Sequence, residues 1–423
     1  MNRKWMVASF ATFTVISCWI ATRVGRSDRA SLALAQDSGR ANTAERRTVA
    51  IERAPLRILE DPYSTFNGLA LDEQTGEVFL SNDNEARGVS IETYHADFAP
   101  TDRITEPIRK ISGRNAHLGA ICGLAISPEF KEVFKVNGDG NGDVGVFSTD
   151  ANGDASPLRE LTTSHGAWGI FLEAKFDELF ITVEHVNRLS VYSRTAQGDQ
   201  APLRYIQGPK TALADPHGIY ADVGRNEVYV ANDGHWHYTA PGETFTQVGS
   251  EMKGTKARQQ PTRPLAPSTG KFVLPSITVY PRTGSGDIAP LRVIEGNKTG
   301  LNVPLGLFLD TASNQLVVAN AGGNSVLFFD ANASGDVAPL RGLGGPRTEL
   351  AGPTSVVIDN KRNELWVTNW DNHTATVYPR TAQGDVAPLR TLRSAPKGAP
   401  DTGFGRPGTV AYDPKRKEIL VPN

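Results

Sequence analysis

Apolar and polar residues alternate in short runs along most of the chain, and turn-forming residues bound each run. A glycine-led run such as 218–222 (GIYAD) is followed by a polar turn and then by a second run, 228–232 (VYVAN). Runs of four to eight residues with a period of two predict β-strands with one buried face. Because no helical period separates these runs, the pattern predicts an all-β protein without βαβ units.

A seven-residue tag divides the runs into repeats. It reads GDVAPLR at 335–341 and 384–390, with variants at 153–159, 198–204 and 286–292 and degenerate copies at 54–57 and 106–109. The closing arginines are 45 to 52 residues apart, except for one step of 88 residues between Arg204 and Arg292. A period near fifty with several strands in each unit is typical of a propeller.

Each repeat contains four predicted strands, a to d in chain order, and the tag supplies the c–d turn. Seven closing arginines predict seven blades. The last residues form an a–b pair (410–413 and 419–422), and residues 49–53 and 56–59 resemble an orphan c and d. We therefore expect a seven-bladed β-propeller of four-stranded blades over 48–423, in which the N-terminal c and d strands complete the C-terminal blade.

The N-terminal residues predict export. Residues 1–21 combine a basic start with a charge-free apolar run, which is typical of a signal peptide or a short membrane anchor. Val15 to Cys18 resembles a lipobox, so lipidation at Cys18 is a further alternative. Residues 22–47 are polar and aperiodic, which predicts a linker. We expect a periplasmic or secreted protein, with any lipid or membrane anchor confined to this segment.

Charge and composition narrow the classes of partner. The formal net charge is -2, with 44 Lys and Arg residues against 46 Asp and Glu residues. A nucleic-acid-binding protein needs a basic face, so this balance argues against one. We expect a monomer whose partner is a small molecule or another protein.

Two repeats resemble known families. Residues 366–369 (WVTN) resemble the YVTN repeat, and 216–219 (PHGI) followed by 229–232 (YVAN) resembles the NHL and SMP-30-type repeat. The resemblance covers about residues 48–423 and implies a propeller. It does not imply one activity, because relatives by fold include lactonases, lyases, amidating enzymes and binding proteins. Seven blades would place the chain nearer the YVTN and lactonase group than the six-bladed NHL enzymes.

Candidate site residues are those that break the repeat on the face formed by the d–a and b–c loops. Most b strands are predicted to end in Asn, and we expect these side chains to bond the local backbone at the b–c turn. Glu184 is aligned with them as the one carboxylate. Asn232 and the adjacent Asp233 are also candidate ligand-binding residues. Trp168 and His217 precede the glycine of strand a in their blades. Trp370 lies on the same face, in another blade.

A His-x-His motif follows strand b in the repeat that contains His217. It comprises His235, Trp236 and His237, directly after Asp233 and Gly234. Two imidazoles at this spacing point to one side of an extended segment, so Glu184, His217, His235 and His237 could hold Zn²⁺, Cu²⁺ or Ca²⁺. The alternative is an aromatic binding rim without a metal. Residues 237–275 form the insertion behind the long step, which predicts either a lid or a surface loop.

Three functions fit these features. The first is an exported protein that binds a small molecule or protein at the channel mouth, on the d–a/b–c face, without chemistry of its own. The second is a metal-assisted hydrolase of the lactonase or SMP-30 type, and the third is a scaffold for protein partners. Whether the chain is an enzyme stays open. For the tag, we expect hydrogen-bonded pairs of its Asp and Arg within each c–d hairpin.

Overall fold

The computed structural model describes residues 63–83, 88–138, 142–234 and 273–399, and the backbone of four short strands outside these ranges. Within these ranges the chain forms six antiparallel four-stranded sheets, each in the order a, b, c, d. The sheets are the blades of a β-propeller. In the part of the chain described, no helix has the length and apolar character needed to cross a membrane.

The strand bounds follow the predicted repeat closely. Strand a is Phe66–Asp72, Ile121–Ser127, Ala167–Glu173, Pro216–Asp222, Pro304–Asp310 and Pro353–Asp359 in blades 1 to 6. Strand b is Glu77–Asn82, Glu132–Asn137, Glu178–Val183, Glu227–Asn232, Gln315–Asn320 and Glu364–Asn369. Strand c is Ser90–His95, Asp143–Ser148, Arg188–Ser193, Ser276–Pro281, Ser325–Asp330 and Thr374–Pro379. Strand d is Arg109–Ile111, Arg159–Thr162, Arg204–Ile206, Arg292–Glu295, Arg341–Gly344 and Arg390–Arg393.

The apolar core lies between blades rather than within them. Six buried clusters each combine side chains of two neighbouring blades, so both faces of a blade are covered. One of them joins the last blade to the first: Trp366 and Val377 of blade 6 pack with Phe66 and Tyr94 of blade 1. These clusters are the main source of hydrophobic stabilisation for the ring.

The ring closes with six blades, so the prediction of seven is wrong. Strand a of blade 6 packs directly against strand a of blade 1, as the other a strands pack against their neighbours. Arg390 of blade 6 donates a hydrogen bond of 2.6 Å to the carbonyl oxygen of Ala96 in blade 1. Six of the seven arginines begin a d strand, whereas the copy at 54–57 lies outside the described residues. The error came from counting that degenerate copy as a blade.

The predicted closure by the chain ends is also wrong. Ile51–Arg53 pairs with Ala30–Leu32, a strand inside the segment predicted to be a linker. Ala411–Asp413 pairs with Glu418–Leu420 in a separate two-stranded sheet. The c-like N-terminal run therefore does not pair with the a–b pair at the C-terminus. The segment 1–21 and most of the insertion 237–275 lie outside the described residues.

The tag joins neighbouring blades. Its glycine forms a parallel bridge to strand d of the preceding blade at five seams. At four of these seams its aspartate also accepts a hydrogen bond from a backbone N–H of the d–a loop, as Asp287 does from Lys210 at 2.8 Å. The predicted Asp–Arg pairs are wrong, because the arginine instead bonds the first residue of strand b. Arg292 and Glu227 form two such bonds of 2.7 Å.

Candidate functional site

Glu184 lies just beyond strand b of blade 3, at the start of a 3-10 helix, Glu184–Val186. The strand ends at Val183, which pairs with Ala167 as Asn232 pairs with Pro216 in blade 4. Val183 therefore occupies the position of the repeated Asn, and the predicted alignment of Glu184 was wrong by one residue. The position of Glu184 is that of Asp233 in blade 4 and Trp370 in blade 6.

The repeated Asn residues are structural, as predicted, although they fasten a different loop. Asn232 is fully buried and accepts a 3.0 Å hydrogen bond from the backbone N–H of Ala214, in the d–a loop of its blade. Its amide donates to the Thr278 hydroxyl at 3.0 Å. The same contact to the d–a loop recurs in the other four blades with Asn at this position. Asn232 therefore serves the frame, and the prediction of it as a binding residue gains no support.

His217 is the centre of a buried cluster that crosses the seam between blades 3 and 4. It lies at the irregular start of strand a of blade 4 and is 4% exposed. Its Nε2 is 3.3 Å from Glu184 Oε2, and its Nδ1 is 2.9 Å from the backbone carbonyl oxygen of Asp215. The carboxylate of Asp233 is 4.0 Å from Nδ1. The structure thus brings together Glu184, His217 and Asp233, three of the residues that the sequence singles out.

Trp168, His185 and His165 extend the cluster through ring and ion-pair contacts. The rings of Trp168 and His217 meet edge to face with centroids 4.5 Å apart. His185 Nε2 lies 2.7 Å from the second oxygen of Glu184, and its ring is 4.7 Å from that of His165. Glu184 is therefore held between two imidazoles, one buried and one at the surface.

A short loop leaves room for this arrangement. Only residues 163–166 connect strand d of blade 2 to strand a of blade 3, whereas residues 207–215 make the next d–a connection. Gly166 closes the short loop with a φ of 82°, and a Cβ there would lie 2.8 Å from the His185 ring. The loop is therefore built around the imidazole, and only glycine fits without displacement.

Mutual contacts shift the pKa values in the cluster. Burial alone would lower the pKa of His217, but the bond to Glu184 and the charges of Asp233 and Asp215 raise it to about 10. Burial alone would raise the pKa of Glu184, but the hydrogen bonds from His185 and His217 lower it to about 2. Burial and the charge of His185 lower the pKa of His165. The geometry therefore favours a carboxylate facing a positive charge.

Asp215 completes a set of potential metal ligands that the sequence did not single out. One ligand atom each from Glu184, Asp215 and His217 lie within 4.8 Å of one another. The backbone of Asp215 is left-handed, with a φ of 55°, and its N–H donates to Asn187 Oδ1 at 2.7 Å. Asp215 and His185 could have been found as neighbours of His217 and Glu184 in the sequence. Neither replaces a repeated residue: Asp215 lies in a d–a loop, and His185 lies in the 3-10 helix that follows strand b.

The other predicted residues do not join this cluster. Trp370 begins a 3-10 helix in blade 6, three blades from blade 3. His235, Trp236 and His237 lie outside the described residues, as does most of the insertion 237–275. The predicted metal set is therefore represented here by Glu184 and His217, with Asp215 as an additional member.

Comparison with known proteins shows no family for this chain. No family model matches the sequence, and no curated protein matches it. A similar solved structure is that of a functionally unknown protein from Desulfotomaculum acetoxidans, with a TM-score of 0.47 and 13% identity. That match covers 79% of this chain and 87% of the other. The propeller assignment therefore rests on the six sheets themselves, and the site is interpreted from its own geometry.

Proposed function

We propose that this protein is an exported binding protein that holds a divalent transition-metal ion at the channel mouth, between Glu184, Asp215 and His217. The observation that carries the proposal is the orientation of His217. Its Nδ1 lies 2.9 Å from a carbonyl oxygen, which can only accept, so Nδ1 carries the proton. In the neutral imidazole, the Nε2 lone pair would then face a carboxylate oxygen at 3.3 Å. A cation between them, either a proton or a metal ion, removes this repulsion.

The spacing suits a small ion. Two ligand atoms on a tetrahedral ion with bonds of about 2.0–2.1 Å lie about 3.3–3.4 Å apart, close to the separation of Nε2 and the Glu184 oxygen. Imidazole with carboxylate oxygens favours Zn²⁺ or Cu²⁺ over Ca²⁺, which prefers oxygen ligands alone. The carbonyl of Asp215 would fix the His217 ring as an outer-shell partner. The metal competes with the proton, so its affinity should rise with pH.

Metal titration tests the proposal. The purified protein is stripped with EDTA, and Zn²⁺, Cu²⁺ and Ca²⁺ binding is measured by calorimetry and thermal shift. We expect one Zn²⁺ or Cu²⁺ per chain, with affinity at least about 100-fold weaker in Glu184→Gln and His217→Gln. His373→Gln is the matched control, because His373 is also buried with Nδ1 at 3.1 Å from a carbonyl oxygen, that of Ser64. Equal binding in all variants, or no stoichiometric ion, contradicts the proposal.

A metal-assisted hydrolase is the second candidate. Three protein ligands leave a fourth position for water or substrate, which is typical of catalytic rather than structural zinc sites. A bound ion there would lower the pKa of that water and polarise a carbonyl. Lactone and ester hydrolysis by the metal-loaded protein, lost in Glu184→Gln, would support it. Metal binding without hydrolysis would leave the binding function, and a pure scaffold predicts neither.

A further inference from the structure

The propeller contains a second, separate space along its axis. Strand a of each blade contributes to the wall of a central cavity of about 210 Å³. Its lining contains no Asp, Glu, Lys, Arg or His; apart from exposed backbone, the polar groups are the Tyr220, Thr354 and Ser355 hydroxyls, the Trp168 indole N–H and the Cys122 thiol. The metal-ligand cluster is thus not part of this wall, although Trp168 contributes to both. No charged side chain lines the wall to balance the charge of an ion that has lost its hydration, so the cavity favours uncharged ligands.

An arc of three aromatic rings lines one side of this cavity. The rings of Phe171 and Tyr220 have centroids 4.5 Å apart, and those of Tyr220 and Phe308 are 5.1 Å apart. All three side chains are only partly buried, because they face the cavity. They belong to consecutive blades, 3, 4 and 5. The opposite wall is aliphatic or small, with Leu71 and Ser355 among its members.

Size and chemistry together indicate the class of ligand. A cavity of about 150 Å³ is large enough to bind benzene, so the volume of about 210 Å³ is large enough for a planar ring or ring pair. Aromatic rings attract one another in edge-to-face and offset contacts, and the arc exposes three of them to one space. We propose that the central cavity is a binding site for an uncharged aromatic molecule, or for the aromatic part of a larger one. This site is independent of metal binding at Glu184 and His217.

Indole serves as the probe, with indole-3-carboxylate as its charged counterpart. Calorimetry and ligand-observed NMR on the purified protein should show one indole per chain and at least tenfold weaker binding of the carboxylate. Ser355→Trp, which fills the cavity, should weaken indole binding at least tenfold. Ser193→Trp is the matched control, because Ser193 lies on strand c, outside the cavity, and should leave the affinity within twofold. His373→Gln, at a buried histidine that does not line the cavity, should also leave it unchanged.

Several outcomes overturn the proposal. They are no indole binding up to its solubility, equal binding of its carboxylate, or equal effects of the two serine variants. If Ser355→Trp does not fold, Phe308→Leu replaces it, because it removes one ring of the arc and keeps an apolar side chain. It should weaken indole binding by about threefold to tenfold. An unchanged affinity in a folded Phe308→Leu protein would then exclude the aromatic arc as the site.

Discussion

Two buried ion pairs cross the same seam between blades 3 and 4, one at each face of the propeller. At the a–b/c–d face, the lower pair joins Glu178 of blade 3 to Arg204 of its own blade and to Arg282 of blade 4. At the opposite face, the upper pair joins Glu184 of blade 3 to His217 of blade 4. The lower pair has an equivalent at the preceding seam, where Glu132 binds Arg159 and Arg194. The upper pair has no equivalent in the described blades, where its positions carry other residues.

The difference distinguishes contacts that hold the ring together from residues of a candidate site. Five of the six b strands begin with Glu, and each of these carboxylates bonds the arginine that begins strand d. A contact that every blade needs is maintained by the requirements of the ring, as the repeated Asn also shows. A buried carboxylate and imidazole that occur once are not required by the ring. Because such a pair costs desolvation energy, its presence calls for another reason, and ligand binding supplies one.

The lower pair should carry the larger share of stability. Glu178→Ala leaves two largely buried guanidinium groups, Arg204 and Arg282, without their carboxylate. Removing one partner of a buried pair costs about 3–5 kcal/mol, so we expect a loss of this size in the free energy of unfolding. Urea denaturation followed by circular dichroism measures it.

Blade 5 provides the matched control for this change. Gln315 stands where the other blades have Glu, and it accepts a 3.2 Å hydrogen bond from Arg341. Glu178→Gln should therefore lose clearly less stability than Glu178→Ala. Equal losses of unfolding free energy would mean that the packing of the Glu178 side chain, rather than its bonds to arginine, stabilises this face of the propeller.

The upper pair should make stability depend on pH in the metal-free protein. The folded pKa of His217 is raised to about 10 from 6.5, so its contribution is complete below pH 6.5 and is lost as pH rises towards 10. The folded pKa of Glu184 is lowered to about 2 from 4.5, so its contribution is complete above pH 4.5 and is lost as pH falls towards 2. In EDTA, the stability difference between wild type and His217→Gln should be greatest between pH 4.5 and 6.5. It should shrink on both sides, by the order of 2 kcal/mol.

Two results would contradict this expectation. A difference that stays constant from pH 3 to pH 10 would show that His217 contributes by packing alone. A similar pH dependence in His373→Gln, a variant of a second buried histidine, would show that the loss of any buried imidazole is sufficient. Either result would weaken the argument that Glu184 and His217 share a cation.

The repeat predicted the strands well and the number of blades badly. The tag places the start of strand d correctly in all six blades, because the arginine that closes it is the residue that bonds strand b. The count failed because a sequence repeat does not state which copies pack into the ring. That depends on the contact between blades 6 and 1, which is a matter of ring geometry rather than of local pattern.

The site was predicted in part for a similar reason. Glu184 and His217 were found because each breaks a repeated position, and the fold then brings them within 3.3 Å. Asp215 and His185 have no such mark in the sequence, since the d–a loop that holds Asp215 and the b–c turn that holds His185 vary between blades. Their roles follow from backbone geometry, such as the left-handed Asp215, which no pattern of apolar residues encodes.

The tag aspartates should contribute less to stability than the glutamates that begin the b strands. Asp287→Ala removes an exposed hydrogen bond to the backbone N–H of Lys210, so we expect a loss of about 1 kcal/mol. Asp199 is the matched control in the tag of blade 3. The short loop before that blade gives it no equivalent backbone partner among the described residues, so Asp199→Ala should be neutral. Equal losses of unfolding free energy in Asp287→Ala and Asp199→Ala, measured by urea denaturation, would mean that the aspartate stabilises its own turn. It would then not act through a hydrogen bond between blades.

A small effect is expected at the exposed leucine of the tag. Leu340, in the tag of blade 5, is 60% exposed, and the tag leucines of blades 2, 3, 4 and 6 are similarly exposed. Leu340→Ser should change the free energy of unfolding by less than about 0.5 kcal/mol, because little apolar surface returns to water. Leu343→Ser, three residues along in the same region but fully buried, should cost more than about 2 kcal/mol. A large loss at Leu340 would mean that the tag stabilises the ring through apolar contact as well as through its glycine, aspartate and arginine. The tag leucines would then belong to the repeated contacts that hold the blades together.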